Sequence, residues 1–421
     1  MVPPTRSLRA KLGVLWTLYF VQGLPFGFQA TALPVYLREE GMSLAAIGFA
    51  TALALPWSLK LFWAPVVDRF TSARWGRRRG WILPLQALLA VTCLAAAWVP
   101  PHRGVAALLA LVFLMNLFAA TLDVAVDGLA VDLLSERELG RGNVAQVVGY
   151  KIGMLTGGGI LVWASGRIGW EGLFGVMAGL IGLSLLVTLA LREEALIEPG
   201  RRLPRVTLGG VLVLLGRAVR SREALWLLLF VGTYKLGESM ADTMFKPFLY
   251  DAGYGREQIG LWVGTWGMLF SILGSIGGGW LAGRVTLLRA VAVTAALRAL
   301  PVAGEWWLSL VEPTVARVLG VTIAEHFFGG ALTTAMFAFM MSRIDRRIGA
   351  THYTLLASVE VWGKLPSAWI SGVVTQATSY PFLFGLATVL SIAFLGLLSP
   401  LSRAMAERRH DPPVIVNRGS T

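Results

Sequence analysis

The stretch that decides the fold is residues 116–134, which read NLFAATLDVAVDGLAVDLL. It is apolar enough to lie in lipid, yet it carries Asp123, Asp127 and Asp132. Asn116, Asp123 and Asp127 share one helix face, because steps of seven and four residues nearly complete whole turns. A carboxylate in mid-bilayer costs about 2.5–3.5 kcal/mol on insertion scales. Two on one face therefore predict a membrane protein with a polar interior, where cations or a cavity face these acids.

The composition extends this prediction to the whole chain. Of its 421 residues, 56% are hydrophobic and only 14% are charged, and the mean hydropathy is +0.66. The formal charge of +13 comes from short basic clusters between apolar runs, which is the pattern of cytoplasmic membrane loops. We therefore expect a lipid bilayer around the protein and no nucleic acid as a partner. The single Cys93 excludes disulfides and cysteine-rich metal sites.

Apolar runs long enough to cross a bilayer, about 20 residues each, occur twelve times. They cover approximately residues 12–37, 44–66, 80–100, 104–134, 142–165, 169–191, 224–250, 257–283, 288–310, 314–341, 350–376 and 380–401. Most Lys and Arg residues fall in alternate loops and at the two termini, while only Arg38, Arg103, Arg167 and Arg256 fall in the opposite loops. The positive-inside rule then predicts that both termini are cytoplasmic.

A long polar segment divides the chain. We predict a six-helix bundle over residues 1–195, a cytoplasmic linker over 196–222, and a second six-helix bundle with a short cytoplasmic tail over 223–421. The apolar piece at 206–219 is too short to cross and is expected along the inner membrane surface. In each half a short charged loop leads into a helix with one lysine, and such internal duplication is typical of secondary transporters. The predicted fold class is an all-α membrane protein with twelve transmembrane helices in two pseudo-symmetric six-helix bundles.

Helix 7 is a second stretch rich in charge, with Lys235, Glu238, Asp242 and Lys246 on one face. One interpretation is a ladder of ion pairs within the helix that has no functional role. The other is a functional pathway, because charged groups in lipid are costly and are usually kept for function. Periodicity alone does not decide between them.

Other buried charges are weighed in the same way. On helix 10, Glu325 and His326 are neighbours that can pass on a proton, and an ordinary buried histidine is equally compatible. On helix 11, Glu360 and Lys364 stand one turn apart, which most simply predicts a self-neutralising pair. We infer no role for Arg298 or Glu305 on helix 9.

Two lysines stand alone at helix depth. Lys60 and Lys151 are candidate counter-ions for Asp68 or for the helix 4 acids, or candidate ligands for an anionic substrate. Asp132 points away from the helix 4 acid face and precedes the polar loop SERELGRGN, so we expect it at the water boundary. No Walker loop, HExxH or nucleophile elbow is present, so the sequence supports neither an enzyme nor a cofactor.

The loop between helices 2 and 3, PVVDRFTSARWGRRR at residues 65–79, resembles the loop motif G-x-L-A-D-R-x-G-R-R of the major facilitator superfamily. A second copy at residues 277–289 has Gly283 in place of the acid. The resemblance implies a gate that latches the two halves of the protein, although positive-inside topology alone would also place arginines here. The implied gating residues are Asp68, Arg69, Arg77, Arg78 and Arg284.

Several further motifs occur in order along the chain: QGLPFG at 22–27, KLFWAPVVDRF at 60–70, GYKIGML at 149–155, YKLGE at 234–238, KPFL at 246–249 and ATHYTLLAS at 350–358. This set resembles the AmpG-type muropeptide permeases and their relatives, the acetyl-CoA transporters. The resemblance implies that helices 1, 4, 7 and 10 line a central cavity. The charged face of helix 7 would then lie opposite Asp123 and Asp127.

These observations predict a monomeric, proton-coupled transporter in a bacterial inner membrane that imports an anionic sugar-peptide by alternating access. The alternatives are another anionic metabolite such as a CoA thioester, or a drug or siderophore exporter; a non-transporting scaffold would gain nothing from buried charges. The predicted proton-coupling residues are Asp123, Asp127, Glu238, Glu325 and His326. The predicted substrate-binding residues are Gln22, Lys60, Lys151, Lys235, Asp242, Lys246, Glu360 and Lys364.

Overall fold

The computed structural model describes residues 8–33, 37, 50–70, 75–99, 104–190 and 207–410. The regular structure in these ranges is helical. The α-helices are α1 Leu8–Gly27, α2 Leu55–Leu59, α3 Ala64–Arg69, α4 Arg79–Ala97, α5 Val105–Leu133, α6 Leu139–Leu155, α7 Leu161–Ala190, α8 Leu208–Arg220, α9 Arg222–Thr233, α10 Leu236–Asp251, α11 Arg256–Ile259, α12 Gly267–Ala282, α13 Leu287–Leu308, α14 Val315–Ser342, α15 Gly349–Ala377, α16 Tyr380–Ala393 and α17 Leu398–His410.

Seven helical stretches in the described part of the chain are long and apolar enough to cross a membrane. They are Arg79–Ala97, Val105–Leu133, Leu139–Ala190, Leu261–Ala282, Leu287–Leu308, Val315–Ser342 and Tyr380–Glu407. The stretch of 52 residues, Leu139–Ala190, contains two predicted crossings. Gly169 separates them with φ 69° and ψ 173°, a conformation that glycine adopts without a steric penalty.

The remaining predicted crossings coincide with α1, α2–α3, α9–α10 and α15. The second crossing is predicted as one helix, but its described residues form short α-helical and 3₁₀ pieces with a proline near the start of both α2 and α3. The seventh is also predicted as one helix, and it is broken at Tyr234 and Lys235. Residues 34–36, near the end of the first predicted crossing, and residues 38–49, which include the start of the second, lie outside the described residues.

Glycines let neighbouring helices approach backbone to backbone. Gly153 on α6 lies against the carbonyl of Phe20 on α1, where a Cβ has no room. The same relation recurs in the second half of the chain, where Gly363 on α15 lies against the carbonyl of Gly232 on α9. Small residues at such crossings are typical of helix packing in membranes.

Helices from the two halves of the chain also touch. At Gly140 on α6 a Cβ would lie 2.5 Å from the carbonyl oxygen of Gly279 on α12, so these helices cross in close contact. Helix α15 packs against α5 and α3. The apolar piece predicted at 206–219 forms the helix α8, which begins at a Thr207 cap and packs on α3.

Candidate functional site

The acids on α5 form a cluster with side chains from α1, α6 and the segment before α3. Asp123 forms an ion pair with Lys60, and both side chains are only 10% exposed. Asp127 Oδ1 accepts hydrogen bonds from the Tyr19 hydroxyl at 2.7 Å and from Gln146 Nε2 at 3.4 Å. One acid therefore has a cation as its partner, and the other has neutral donors. We call these five residues the Asp123 cluster.

The third residue of the predicted face belongs to the same region. Asn116 is buried and accepts a hydrogen bond from Trp57 Nε1 at 2.9 Å. The Lys60 ammonium also lies 5.6 Å from the Trp57 ring centre. The sequence offers Asp68 or the acids of the fourth predicted crossing, α5, as partners for Lys60. In the structure Lys60 pairs with Asp123 on α5.

A second cluster surrounds Arg298, in the middle of α13. Its Nη2 lies 2.6 Å from Glu325 Oε1 and 3.4 Å from Asp242 Oδ1, and its Nε lies 3.6 Å from Glu238 Oε2. Glu325 also contacts Nδ1 of His326. We call these five residues the Arg298 cluster. No role for Arg298 follows from the sequence, because two of the acids that it contacts in the structure lie 27 and 56 residues away along the chain.

A third group joins α15 to the break before α10. Glu360 Oε1 lies 2.9 Å from Lys235 Nζ and 3.6 Å from Lys364 Nζ. Glu360 and Lys364 are therefore not a self-contained pair. The seventh predicted crossing, α9–α10, does not form a ladder of ion pairs within itself in the described residues. Lys235 pairs with Glu360 on α15, while Glu238 and Asp242 pair with Arg298 on α13. The helix is broken at Tyr234 and Lys235, so Lys235 points to a different neighbouring helix than Glu238 and Asp242 do.

Three other predicted substrate residues lie apart from these groups. Lys151 on α6 donates to the Ser271 hydroxyl of α12 at 2.5 Å, so it joins the two halves of the chain and is not a counter-ion of Asp68 or of the helix 4 acids. Lys246 is exposed on α10 and has no ion pair within the described ranges. Gln22 is fully buried, and neither amide atom has a hydrogen-bond partner among the residues that the structure describes.

The predicted gate brings Asp68 and two arginines together. Asp68 Oδ1 lies 2.9 Å from Arg78 Nη1 and 3.3 Å from Arg77 Nη2. Its other oxygen accepts hydrogen bonds from the backbone N–H and the hydroxyl of Thr351, both at 2.7 Å. Thr351 is in the first turn of α15, where N–H groups lack intrahelical partners and favour a negative charge. Asp68 therefore caps a helix from the other half of the chain.

Further bonds reinforce this contact. Arg77 Nη2 donates to the Arg347 carbonyl at 2.8 Å, and Arg346 Nη2 donates to the Leu134 carbonyl at 3.2 Å. Arg78 is completely buried, and its Nε lies 3.0 Å from Asp132 Oδ2. Asp132, expected at the water boundary, lies at this end of α5 but is buried, because its carboxylate faces the guanidinium of Arg78. We call this end of the helices, where Arg77, Arg78 and Arg346 lie, the basic end.

The other two implied gating residues do not contact Asp68. The Arg69 guanidinium lies 5.5 Å from the ring centre of Phe70. The Arg284 guanidinium lies 4.3 Å from the ring centre of Trp280. The second copy of the loop motif, in which Gly283 replaces the acid, thus provides no counterpart of the Asp68 contact among the described residues.

Two carboxylates at the basic end lie outside the apolar helices and have perturbed pKa values. Burial raises the pKa of Glu138, but hydrogen bonds from the Ser135 backbone and from Lys11 outweigh it, so the pKa lies below its ordinary value. Burial likewise raises the pKa of Asp345, and hydrogen bonds from Arg347 lower it overall. Both groups are ionised at neutral pH.

A cavity of about 350 Å³ also opens at the basic end, between α8, α9 and the loop that joins α14 to α15. Arg217, Arg343 and Arg347 contribute cations to it, and Glu223 and Asp345 contribute acids. None of the predicted substrate-binding residues lines this cavity.

Comparison with known proteins agrees with this architecture. Residues 15–363 match the profile of the Major Facilitator Superfamily. The anhydromuropeptide permease of Escherichia coli (strain K12) is 30% identical over 379 residues, covering 89% of this chain and 76% of that protein. The putative transporter AmpG 4 of Rickettsia conorii is 27% identical, covering 83% of this chain and 86% of that protein.

Solved structures show the same fold at low sequence identity. The major facilitator transporter FucP in its outward conformation superposes with a TM-score of 0.72 at 12% identity, covering 93% of this chain and 98% of that one. The predicted resemblance and the all-helical membrane fold are confirmed. The chain belongs to the major facilitator superfamily, as a membrane transporter of the AmpG type.

Proposed function

We propose that this protein imports an anionic sugar-peptide, related to muropeptides, across a bacterial inner membrane in symport with protons. The observation that carries the proposal is the set of buried charges at mid-helix depth, in a chain whose relative is an anhydromuropeptide permease. Buried charges in membrane helices are costly and mark substrate or ion pathways.

The proposed architecture has twelve crossings in two bundles, 1–195 and 223–421, joined by the linker 196–222, in a monomer with both termini cytoplasmic. The recurrence of the glycine contact, between α1 and α6 and again between α9 and α15, supports two similar bundles. In this orientation the basic end faces the cytoplasm.

Alternating access then requires the basic end to open and close. Two hydrogen bonds hold the two halves together at this end: Thr351 donates to the Asp68 carboxylate, and Arg77 donates to the Arg347 carbonyl. We assign this conformation to a state closed toward the cytoplasm. Opening toward the cytoplasm would separate Asp68 from α15 and leave the helix without its cap.

Substrate carboxylates would be recognised by the lysines. Lys246 is exposed and the Lys364 side chain is 36% exposed, so these two cations are accessible in this conformation. Lys60 and Lys235 are occupied by Asp123 and Glu360. A proton taken up by either acid would release the paired lysine for the substrate, which would couple proton binding to substrate binding.

The test is uptake of labelled anhydromuropeptide into proteoliposomes with and without an inward pH gradient. We expect accumulation only with the gradient, and competition by unlabelled anhydromuropeptide but not by a CoA thioester. Liposomes without protein are the control. Uptake of the CoA thioester alone would replace the substrate class, and equal accumulation without a gradient would refute proton coupling.

A further inference from the structure

Glu305 on α13 is a buried acid that the function described so far does not use. It lies seven residues after Arg298 and is 1% exposed. Both carboxyl oxygens are buried and have no hydrogen-bond partner among the described residues. An ionised carboxylate can only accept hydrogen bonds, and burying it without a donor or a cation is far costlier than burying the neutral acid.

The charged groups on the helices around Glu305 are of both signs. Arg289 and Arg298 are on its own helix, and α12 and α16, which pack on α13, have no charged side chain. The charges that act most strongly on Glu305 are those of Glu325, Arg298 and Glu238. The ionisable and charged residues on the two other neighbouring helices are Glu238, Asp242, Lys246, Tyr250 and Asp251 on α10, and Arg317, Glu325 and His326 on α14.

The single arginine cannot compensate another acid. Arg298 already contacts Glu238, Asp242 and Glu325. At the outer ends of the helices, Arg317 donates to the Glu312 carbonyl and Asp251 accepts from Tyr380. An ionised Glu305 would add a fourth negative charge near one fixed positive charge, at a position that is itself only 1% exposed.

We infer that Glu305 carries a proton in this conformation and serves as a proton-binding carboxyl for the Arg298 cluster. It gives that proton to the Glu325 carboxylate, which becomes neutral and loosens its ion pair with Arg298. As that proton leaves, Glu305 takes up another from water on its side of the membrane, so the carboxyl does not remain ionised. The transport role of this step rests on the proposed function, whereas the proton on Glu305 does not.

The helix geometry places Glu305 on the route to Glu325. The glycine before it, Gly304, lies against Val321 of α14. A Cβ added to Gly304 would lie 3.1 Å from Cγ2 of Val321. Because α13 and α14 run antiparallel, Glu305 is about level with Gly320, between one and two helical turns before Glu325. The Thr322 hydroxyl lies between these two levels, is buried and has no partner among the described residues, so a polar group is present between the two acids. In the proposed orientation Glu305 is on the extracellular side of Glu325.

Infrared difference spectroscopy on the reconstituted protein tests the protonation directly. We expect a carbonyl band of a buried, protonated carboxylic acid at neutral pH that disappears in Glu305→Gln. The matched control is Glu312→Gln, an exposed acid seven residues further along, which should keep the band. An unchanged band in Glu305→Gln would overturn the inference. If that variant does not fold, Glu305→Asp should shift the band, and an unshifted band would overturn it equally.

Transport separates this inference from the proposed function. In proteoliposomes, Glu305→Gln should lose pH-gradient-driven accumulation of labelled anhydromuropeptide by at least about tenfold, a change of about 1.4 kcal/mol, while keeping substrate exchange. Full accumulation in this variant would remove Glu305 from the proton pathway. Failure of the wild-type protein to take up the probe would refute the proposed substrate but leave the infrared result standing.

Discussion

The Asp123 and Arg298 clusters satisfy buried acids in different ways. In the Asp123 cluster one lysine faces Asp123, and neutral donors from Tyr19 and Gln146 satisfy Asp127. In the Arg298 cluster three acids share one guanidinium. With all acids ionised and His326 neutral, the first cluster carries a net charge of −1 and the second a net charge of −2.

The two cations also differ in chemistry. A lysine is a single point charge on a flexible stem that can change partners, whereas an arginine is always charged and holds several acids through fixed donors. In the proposed transport cycle, Lys60 is therefore suited to exchange a protein acid for a substrate carboxylate. Arg298 is suited to keep a group of acids together while their protons move.

The largest expected effect comes from removing the cations. Arg298→Met leaves the buried Glu325 and the partly exposed Glu238 and Asp242 without their cation, and breaking a buried ion pair costs about 3–5 kcal/mol. Lys60→Met should cost less, because Asp123 alone loses its partner. Thermal unfolding of the purified proteins measures both, with Arg284→Met, which faces an exposed Trp280, as the control. Equal losses for the two variants would mean that the clusters do not differ as described.

The Asp68 contact tests whether both clusters depend on one conformational change. Asp68→Asn removes the charge that faces Arg78 and caps α15. We expect expression close to wild type and transport slowed by about tenfold or more, equivalent to about 1.4 kcal/mol. Initial uptake rates in proteoliposomes measure this, with Arg69→Gln as the control outside the contact. Wild-type turnover in Asp68→Asn would contradict the latch.

The α5 acids test the coupling role of the first cluster. Asp123→Asn or Asp127→Asn should abolish gradient-driven accumulation but spare substrate exchange, because the amide cannot bind and release a proton. Accumulation and counterflow are measured on the same vesicles. If both variants still concentrate substrate, coupling resides in the Arg298 cluster alone, and Glu325→Gln should then be the variant that fails.

Two lysines of the seventh predicted crossing, α9–α10, test whether the protein recognises a negative charge on its substrate. Lys246→Met should raise the apparent KM by about tenfold, the equivalent of about 1.4 kcal/mol, with little change in stability because its side chain is exposed. Lys235→Met should raise KM and also lower the unfolding temperature, because Glu360 loses its nearer cation. Unchanged KM values together with lost stability would make both lysines purely structural.

The smallest effect is expected at the basic end. Glu138 pairs with Lys11 at 2.9 Å and is partly exposed, so Glu138→Gln should cost only about 0.2–1 kcal/mol after solvent screening. Because its pKa is lowered in the folded state, this contribution is complete above the unfolded-state pKa and disappears as pH falls through the folded-state pKa. Thermal unfolding at neutral and acid pH checks the sign: a difference between variant and wild type that grows on acidification would contradict it.

The sequence by itself determined the features that depend on local periodicity and on motif order. The shared face of Asn116, Asp123 and Asp127 follows from helix geometry, and all three are buried and bonded in the structure. The loop motif identified the acid at Asp68 and the arginines that face it. The ordered motifs indicated the family.

The tertiary structure decided which helices face each other. Arg298 has its acids on two other helices, and Asp68 caps α15 at Thr351, 283 residues further along. Helical periodicity cannot reveal such partners. The break at Lys235 turns one charge of helix 7 toward α15 and separates it from the others. Periodicity assigns a residue to a face of its own helix, but only the packing of helices through their small residues determines what that face meets.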